Sequence, residues 1–189
     1  EKVILPKATQ IAERAFYNCK LLNIVEFPEA KTIGKYSFLG CSSLSYANLS
    51  KVDSIGEQAF TNCRALENVH MPSVRFIDKK AFNDCSLLNS FDMSEVLFVG
   101  DEAFRGCEKI RSVSMPKIDS VGNYAFEKCR LNQIIIPKVH GIGTSAFLNS
   151  PAEIVEIGEN IKFIGANALD KSEIVRISCK DVPKLNGTN

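Results

Sequence analysis

The chain has no tryptophan, only two histidines and no excess of charge of either sign. Its 23 Lys and Arg residues balance 22 Asp and Glu residues, which leaves a formal net charge of +1 over 189 residues. Because nucleic-acid binding needs a basic surface, we expect no nucleic-acid partner. No stretch approaches the roughly 18 consecutive apolar residues of a membrane-spanning helix, so we expect no transmembrane segment in this chain.

A repeat of about 22 residues runs through the chain and is the main feature of the sequence. Most units contain Ile or Val followed by Gly, then Phe five residues after the Ile or Val, Cys three residues after the Phe, and a short apolar stretch that often ends in Pro. The phenylalanine column consists of Phe16, Phe38, Phe60, Phe82, Phe104, Phe126 and Phe147, and Leu169 takes the next place. A repeat of this length is typical of solenoid proteins.

Each unit combines two periodicities. In the second unit, the apolar face expected of a helix or of successive helical turns contains Ile33, Ser37, Phe38, Cys41 and Leu44. Residues 24–27 alternate as in a short strand. Such a unit cannot bury a core alone, but stacked copies can. We therefore predict an α/β solenoid with one parallel sheet, short helical segments opposite it and about eight 22-residue repeats, wound right-handed.

The unit resembles the BspA-like class of leucine-rich repeats of surface-exposed proteins. The hallmark I-G-x-x-A-F-x-x-C-x-x-L runs here from Ile55 to Leu66, and the resemblance covers about Val3 to Ile177. It implies a single right-handed leucine-rich-repeat domain over residues 1–189. It also implies a cell-surface or extracellular location, a role in recognition or adhesion, no catalytic residues and no cofactor.

The repeats depart from the pattern from about residue 147 onwards. Ser150 stands where the next cysteine would fall, Leu169 replaces Phe, and residues 179–185 are similar to the closing strand and turn of bacterial versions. Terminal repeats are usually atypical because they cap a stack. We interpret this region as a C-terminal cap of the same domain.

Neither the cysteines nor the histidines have the spacing of a metal site. Six cysteines recur 22 residues apart, whereas zinc ligands come in pairs two to four residues apart. We expect these six to be free, buried thiols on the apolar face with the phenylalanines: Cys19, Cys41, Cys63, Cys85, Cys107 and Cys129. His70 and His140 fall three repeats apart, too far to share a metal ion.

One column of the repeat contains the residue types of a hydrolase triad. His70, Asp92 and Ser114 are 22 residues apart and should stand on adjacent strands. A triad needs its histidine in the middle, whereas here the aspartate would be central. We therefore expect no enzyme, and at most a solvated cross-strand contact between His70 and Asp92.

The outward positions of the strands are free to contact a partner. Between Tyr46 and Ser114 they are small and polar, which favours a binding face for a protein or a glycan. The candidate ligand-binding residues are Tyr46, Asn48, Asn68, His70, Ser90 and Asp92. The alternative is a structural spacer that displays another domain, and an exposed contiguous binding patch would distinguish the two.

Overall fold

The computed structural model describes residues 1–171 and two further strands, 176–177 and 184–185. All regular elements of this part are strands of two to four residues. In chain order they are β1 (Lys2–Ile4), β2 (Gln10–Ile11), β3 (Ile24–Glu26), β4 (Thr32–Ile33), β5 (Tyr46–Asn48), β6 (Ser54–Ile55), β7 (Asn68–His70), β8 (Phe76–Ile77), β9 (Phe98–Val99), β10 (Ser112–Ser114), β11 (Ser120–Val121), β12 (Gln133–Ile136), β13 (Gly141–Ile142), β14 (Ile154–Ile157), β15 (Phe163–Ile164), β16 (Arg176–Ile177) and β17 (Lys184–Leu185).

The strands form two walls of a solenoid. The back sheet is continuous, in the order β17-β15-β13-β11-β9-β8-β6-β4-β2. The front sheet consists of two four-stranded halves, β1-β3-β5-β7 and β10-β12-β14-β16. All pairs are parallel and one turn takes 20 to 22 residues, as in Glu156↔Arg176, Ser120↔Gly141 and Gln10↔Thr32, so equivalent repeat positions form columns. The parallel solenoid is confirmed. The prediction of one sheet is wrong, because the two residues that end at the Ile or Val of each repeat, such as Thr32–Ile33, pair in a sheet of their own.

The prediction of short helical segments is also wrong, because no helix occurs among the described residues. Each unit has left-handed backbone two residues before and two residues after its phenylalanine, as at Tyr36 (φ 56°) and Gly40 (φ 75°) around Phe38. Left-handed residues at this interval prevent a continuous i→i−4 ladder. The chain makes successive turns instead: the Leu39 N–H donates to Tyr36 O in its own unit (3.2 Å) and the Phe38 N–H to Ala59 O in the next (2.8 Å).

The phenylalanine column forms the centre of the core. From Phe38 to Phe147 its rings are fully buried, and neighbours in the column lie 5.0–5.3 Å apart between centroids, with interplanar angles of 2–11°. Phe16, in the first turn, is half-buried and stacks on Phe38 at 5.2 Å. The prediction that this column is a packed core is therefore confirmed.

A column of thiols runs beside the phenylalanines. Each Sγ from Cys41 to Cys129 is buried and donates to the carbonyl of the phenylalanine 25 residues earlier, as Cys63 does to Phe38 O at 3.1 Å. Ser150 takes over this bond at the next turn, where its Oγ donates to Phe126 O at 2.7 Å. The prediction of a buried thiol is wrong for Cys19, which is exposed because no turn is stacked ahead of it in the structure.

In-register pairing continues into the region predicted to form a cap. Glu156 of β14 pairs with Arg176 of β16, and Phe163 of β15 pairs with Lys184 of β17. Cys179 and most of the residues that resemble the closing strand and turn lie outside the described residues. The C-terminal cap stays a prediction.

Candidate binding face on the front sheet

Four of the six candidate residues form a contiguous patch on β5 and β7. The register pairs Tyr46 with Asn68 and Asn48 with His70. Between them, Ala47 and Val69 are buried, and because side chains alternate along a strand the four candidates face outward. Tyr46 and Asn48 are half-exposed, whereas Asn68 and His70 are exposed.

The other two candidates lie where the front sheet is interrupted. The repeat predicts that Ser90 and Asp92 lie on a strand. Residues 88–93 form no strand, so this prediction is wrong. Phe91 occupies the place that Ala47 and Val69 fill in earlier turns, and its ring lies tilted 5.8 Å from the Phe104 ring. The ring is larger than the Ala, Val and Ile side chains at this position in the other described turns, and this turn is the one that departs from the ladder.

Side-chain hydrogen bonds replace part of the missing ladder. Ser90 Oγ accepts from the Arg111 N–H and donates to Ser112 O, both at 3.4 Å. Asp92 Oδ1 accepts from the Ser94 N–H at 2.9 Å. Backbone and side-chain hydrogen bonds from Ser94 lower the pKa of Asp92. Ser90 therefore joins its segment to the next turn and Asp92 stabilises its own segment, whereas Asn68 accepts and donates no side-chain hydrogen bond within residues 1–171.

The described residues contain neither a hydrogen-bonded triad in this column nor a metal-binding cluster. Over residues 1–171, His70, Asp92 and Ser114 make no side-chain hydrogen bond or ion pair with one another, so no direct polar bond joins His70 to Asp92. No group of three His, Cys, Asp or Glu side chains suited to a metal ion occurs in the described part. Within the same residues, no helix has the length and apolar character to cross a membrane.

The buried thiols are poor nucleophiles in this environment. Burial raises the pKa of Cys41 to about 11 and raises the pKa of Cys63 and Cys107 well above the ordinary thiol value. Because the thiolate is the reactive form, burial disfavours nucleophilic attack by these side chains.

Sequence reasoning missed a second exposed surface, on the back sheet. Phe76 and Phe98 point outward from β8 and β9, where most other turns carry a small or polar residue. The signal was a phenylalanine directly before the Ile or Val of the repeat in two consecutive units. Assigning that segment to a helix concealed it, because only a strand places the residue before a buried Ile on the outside.

Comparison with known proteins supports the description of the fold. The chain matches the model of the "BspA type Leucine rich repeat region (6 copies)" over residues 1–111 and 75–186. It matches none of the curated proteins. Among solved structures, it resembles the leucine rich repeat protein of T. pallidum (TpLRR), with a TM-score of 0.70, 26% identity and coverage of 78% of this chain and 75% of that one.

Two further solved structures share the fold at lower identity. One is a leucine rich cell surface protein of Faecalibacterium prausnitzii, with a TM-score of 0.69, 24% identity and coverage of 98% of this chain and 49% of that one. The other is a leucine-rich repeat protein of Bacteroides ovatus, with a TM-score of 0.66, 21% identity and coverage of 92% and 50%. The present chain thus spans about half the length of each of these two.

Proposed function

Because this chain belongs to the BspA type leucine-rich repeat family, we propose that it is a non-catalytic recognition module that binds a protein partner through its front sheet. We place this role at the cell surface. The F. prausnitzii protein of the same fold, which is described as a cell surface protein, supports that placement. A stacked solenoid offers an extended and rigid surface, so binding costs little reorganisation of the module.

The observation that carries the proposal is the composition of the front face. Tyrosine, asparagine and serine dominate its outward positions from β5 to β10, as in Tyr46, Asn68 and Ser112. Antibody paratopes use the same residue types, because Tyr supplies contact area at low entropy cost while Ser and Asn supply adaptable hydrogen bonds. Such a flat polar face suits a folded protein partner.

The contacts rank the candidate residues within this face. Tyr46, Asn68 and His70 form the centre of the proposed site, since they are outward and not committed to side-chain hydrogen bonds within residues 1–171. Its border is formed by Asn48, Ser90 and Asp92, whose side chains are already hydrogen-bonded; Asn48 Oδ1, for example, accepts from Ser50 Oγ at 2.6 Å. Aromatic residues with a polar tip are enriched among binding hot spots, which makes Tyr46 the first residue to test.

A binding array tests the proposal. The isolated domain, its Tyr46→Ala/Asn68→Ala double variant and a Lys79→Ala control on the exposed turn side are applied to purified extracellular proteins and to glycans. We expect a protein to bind the wild type and the control equally and the double variant about fivefold more weakly or worse.

Each of the other outcomes contradicts a defined part of the proposal. Binding to glycans alone would replace the protein partner with a sugar. Loss of binding in Lys79→Ala, with the double variant unaffected, would move the site to the turn side. Failure to bind anything on the array would favour a structural spacer.

A further inference from the structure

The back sheet carries an apolar patch that packing does not explain. Phe76 and Phe98 are register partners on adjacent strands and remain 40% and 38% exposed. Half-buried Leu97 precedes Phe98, in a column that is otherwise mostly charged or polar. We define the back-sheet patch as Phe76, Leu97 and Phe98. The patch lies outside the core, because Ile77 and Val99 already fill the inner side of these strands.

A groove borders this patch at the corner between the two sheets. The corner groove has a volume of about 430 Å³ and is lined by Lys31, Lys51, Asp53, Ser73 and Arg75. The lining thus has three cationic side chains and one carboxylate, and Glu95 also acts electrostatically on Arg75. Lys51 is neutralised from outside the lining by Glu29, whose carboxylate lies 2.8 Å from the Lys51 Nζ. Lys31 has no carboxylate partner within residues 1–171.

Arg75 connects the groove to the patch. Its guanidinium carbon lies 5.3 Å from the centroid of the Phe76 ring, a distance typical of cation–π contact. Its Nε donates to Asp53, which fixes the plane of the group. The Nη1 and Nη2 atoms have no acceptor among the described residues, so their N–H donors can take a carboxylate in the two-pronged geometry that guanidinium favours.

We propose that the corner groove and the back-sheet patch together bind an acidic peptide segment in which an aromatic or aliphatic side chain lies next to a carboxylate. The carboxylate pairs with the Arg75 Nη atoms and the Lys31 ammonium, and the apolar side chain packs on Phe76, Phe98 and Leu97. Because Arg75 and Phe76 are consecutive, charge and anchor must be neighbours in the ligand as well. Arginine and aromatic residues are the types enriched at protein-binding surfaces.

The test uses three fluorescein-labelled peptides with Gly-Ser flanks: Glu-Phe-Glu, Lys-Phe-Lys and Glu-Ser-Glu at the centre. Binding is measured by fluorescence anisotropy, and its position by shifts of backbone amide signals in the NMR spectrum of the folded protein. We expect only Glu-Phe-Glu to bind at concentrations up to about 1 mM. The shifted amides should be those of Lys31, Arg75, Phe76 and Phe98.

Matched variants separate the groove from a general effect of charge or aromatic area. Arg75→Lys keeps the charge but removes the two Nη donors, and Phe98→Ser removes one of the two exposed rings. Each change should weaken Glu-Phe-Glu binding about fivefold or more. Two control variants change the same columns far from the groove: Phe163→Ser removes an exposed ring and Lys162→Gln removes a cationic group. Both should leave binding unchanged. The dispersion of the NMR spectrum verifies that every variant is folded.

Several results would overturn the inference. Absence of Glu-Phe-Glu binding would do so, as would equal binding of Lys-Phe-Lys or equal losses in the Phe163→Ser control. Amide shifts at Tyr46 and Asn68 would place the peptide on the front sheet instead. If polygalacturonate shifted the groove amides and no peptide did, the site would belong to an acidic glycan. None of these outcomes decides whether the front sheet binds a protein.

Discussion

Replacement of Phe82 by alanine tests the stacked core most directly. Phe82 is fully buried, and its ring lies 5.1 Å from Phe60 and 5.3 Å from Phe104, at interplanar angles of 2° and 3°. The truncation leaves a cavity between two rigid turns and removes these two contacts together with a tilted contact to the Phe91 ring at 6.3 Å. Deletion of a fully buried phenylalanine costs about 3–5 kcal/mol of unfolding free energy, and we expect a value within this range.

The first turn supplies a matched control with the same residue type. Phe16 is half-buried and has a column neighbour on one side only, Phe38 at 5.2 Å. Its ring is partly solvated already and the end of the stack can relax, so Phe16→Ala should cost roughly half as much. The corresponding truncation of partly buried Leu169 should likewise cost less than Phe82→Ala, because leucine loses less volume.

Urea unfolding followed by far-ultraviolet circular dichroism measures these differences by linear extrapolation. The slope of each transition must be compared as well, because a repeat protein can unravel from one end and lose two-state behaviour. Phe82→Leu keeps more of the side-chain volume and should cost less than Phe82→Ala. Equal losses for Phe16→Ala and Phe82→Ala, at equal slopes, would refute a core built by stacking.

Three other perturbations have defined outcomes. With Ellman's reagent under native conditions Cys19 should react quickly while Cys85 stays silent, because burial raises the thiol pKa of Cys85; more than about two fast thiols in all would contradict the buried column. Gly100→Ala should destabilise the fold by about 1–3 kcal/mol, since a Cβ there would lie 2.6 Å from the Lys79 backbone nitrogen. A Cβ at Gly141 would meet nothing within 4 Å, so the control Gly141→Ala should change stability by less than about 0.5 kcal/mol. Equal melting temperatures of the two variants would show that the turns are not in close contact at Gly100. The pKa of the Asp92 carboxyl, measured by NMR, should lie below its ordinary value of about 3.9. Its hydrogen bonds should stabilise the fold above that pH, and this stabilisation should be lost as the pH falls through the lowered pKa. A pKa at or above about 3.9 would show that Ser94 does not hydrogen-bond the carboxylate.

Much of the candidate front face could be predicted from residue intervals. The 22-residue step places Tyr46 beside Asn68 and Asn48 beside His70, and the observed register does the same. The same reasoning failed at Ser90 and Asp92, because whether a turn joins the ladder depends on the space between its neighbours. That space is limited by residues of other turns, and the Phe91 ring has to share it with Phe82 and Phe104.

The sequence by itself determined the repeat, its columns and which of these columns form the core, because burial of a column follows from the interval between apolar residues. Only the tertiary structure decided the backbone path. A spacing such as that of Ile33, Phe38 and Cys41 fits a helical face as well as a strand followed by turns. Hydrogen bonds to the next turn, such as that from the Phe38 N–H to Ala59 O, favour the second path. Contacts of this kind join residues about 21 positions apart, so no local pattern contains them.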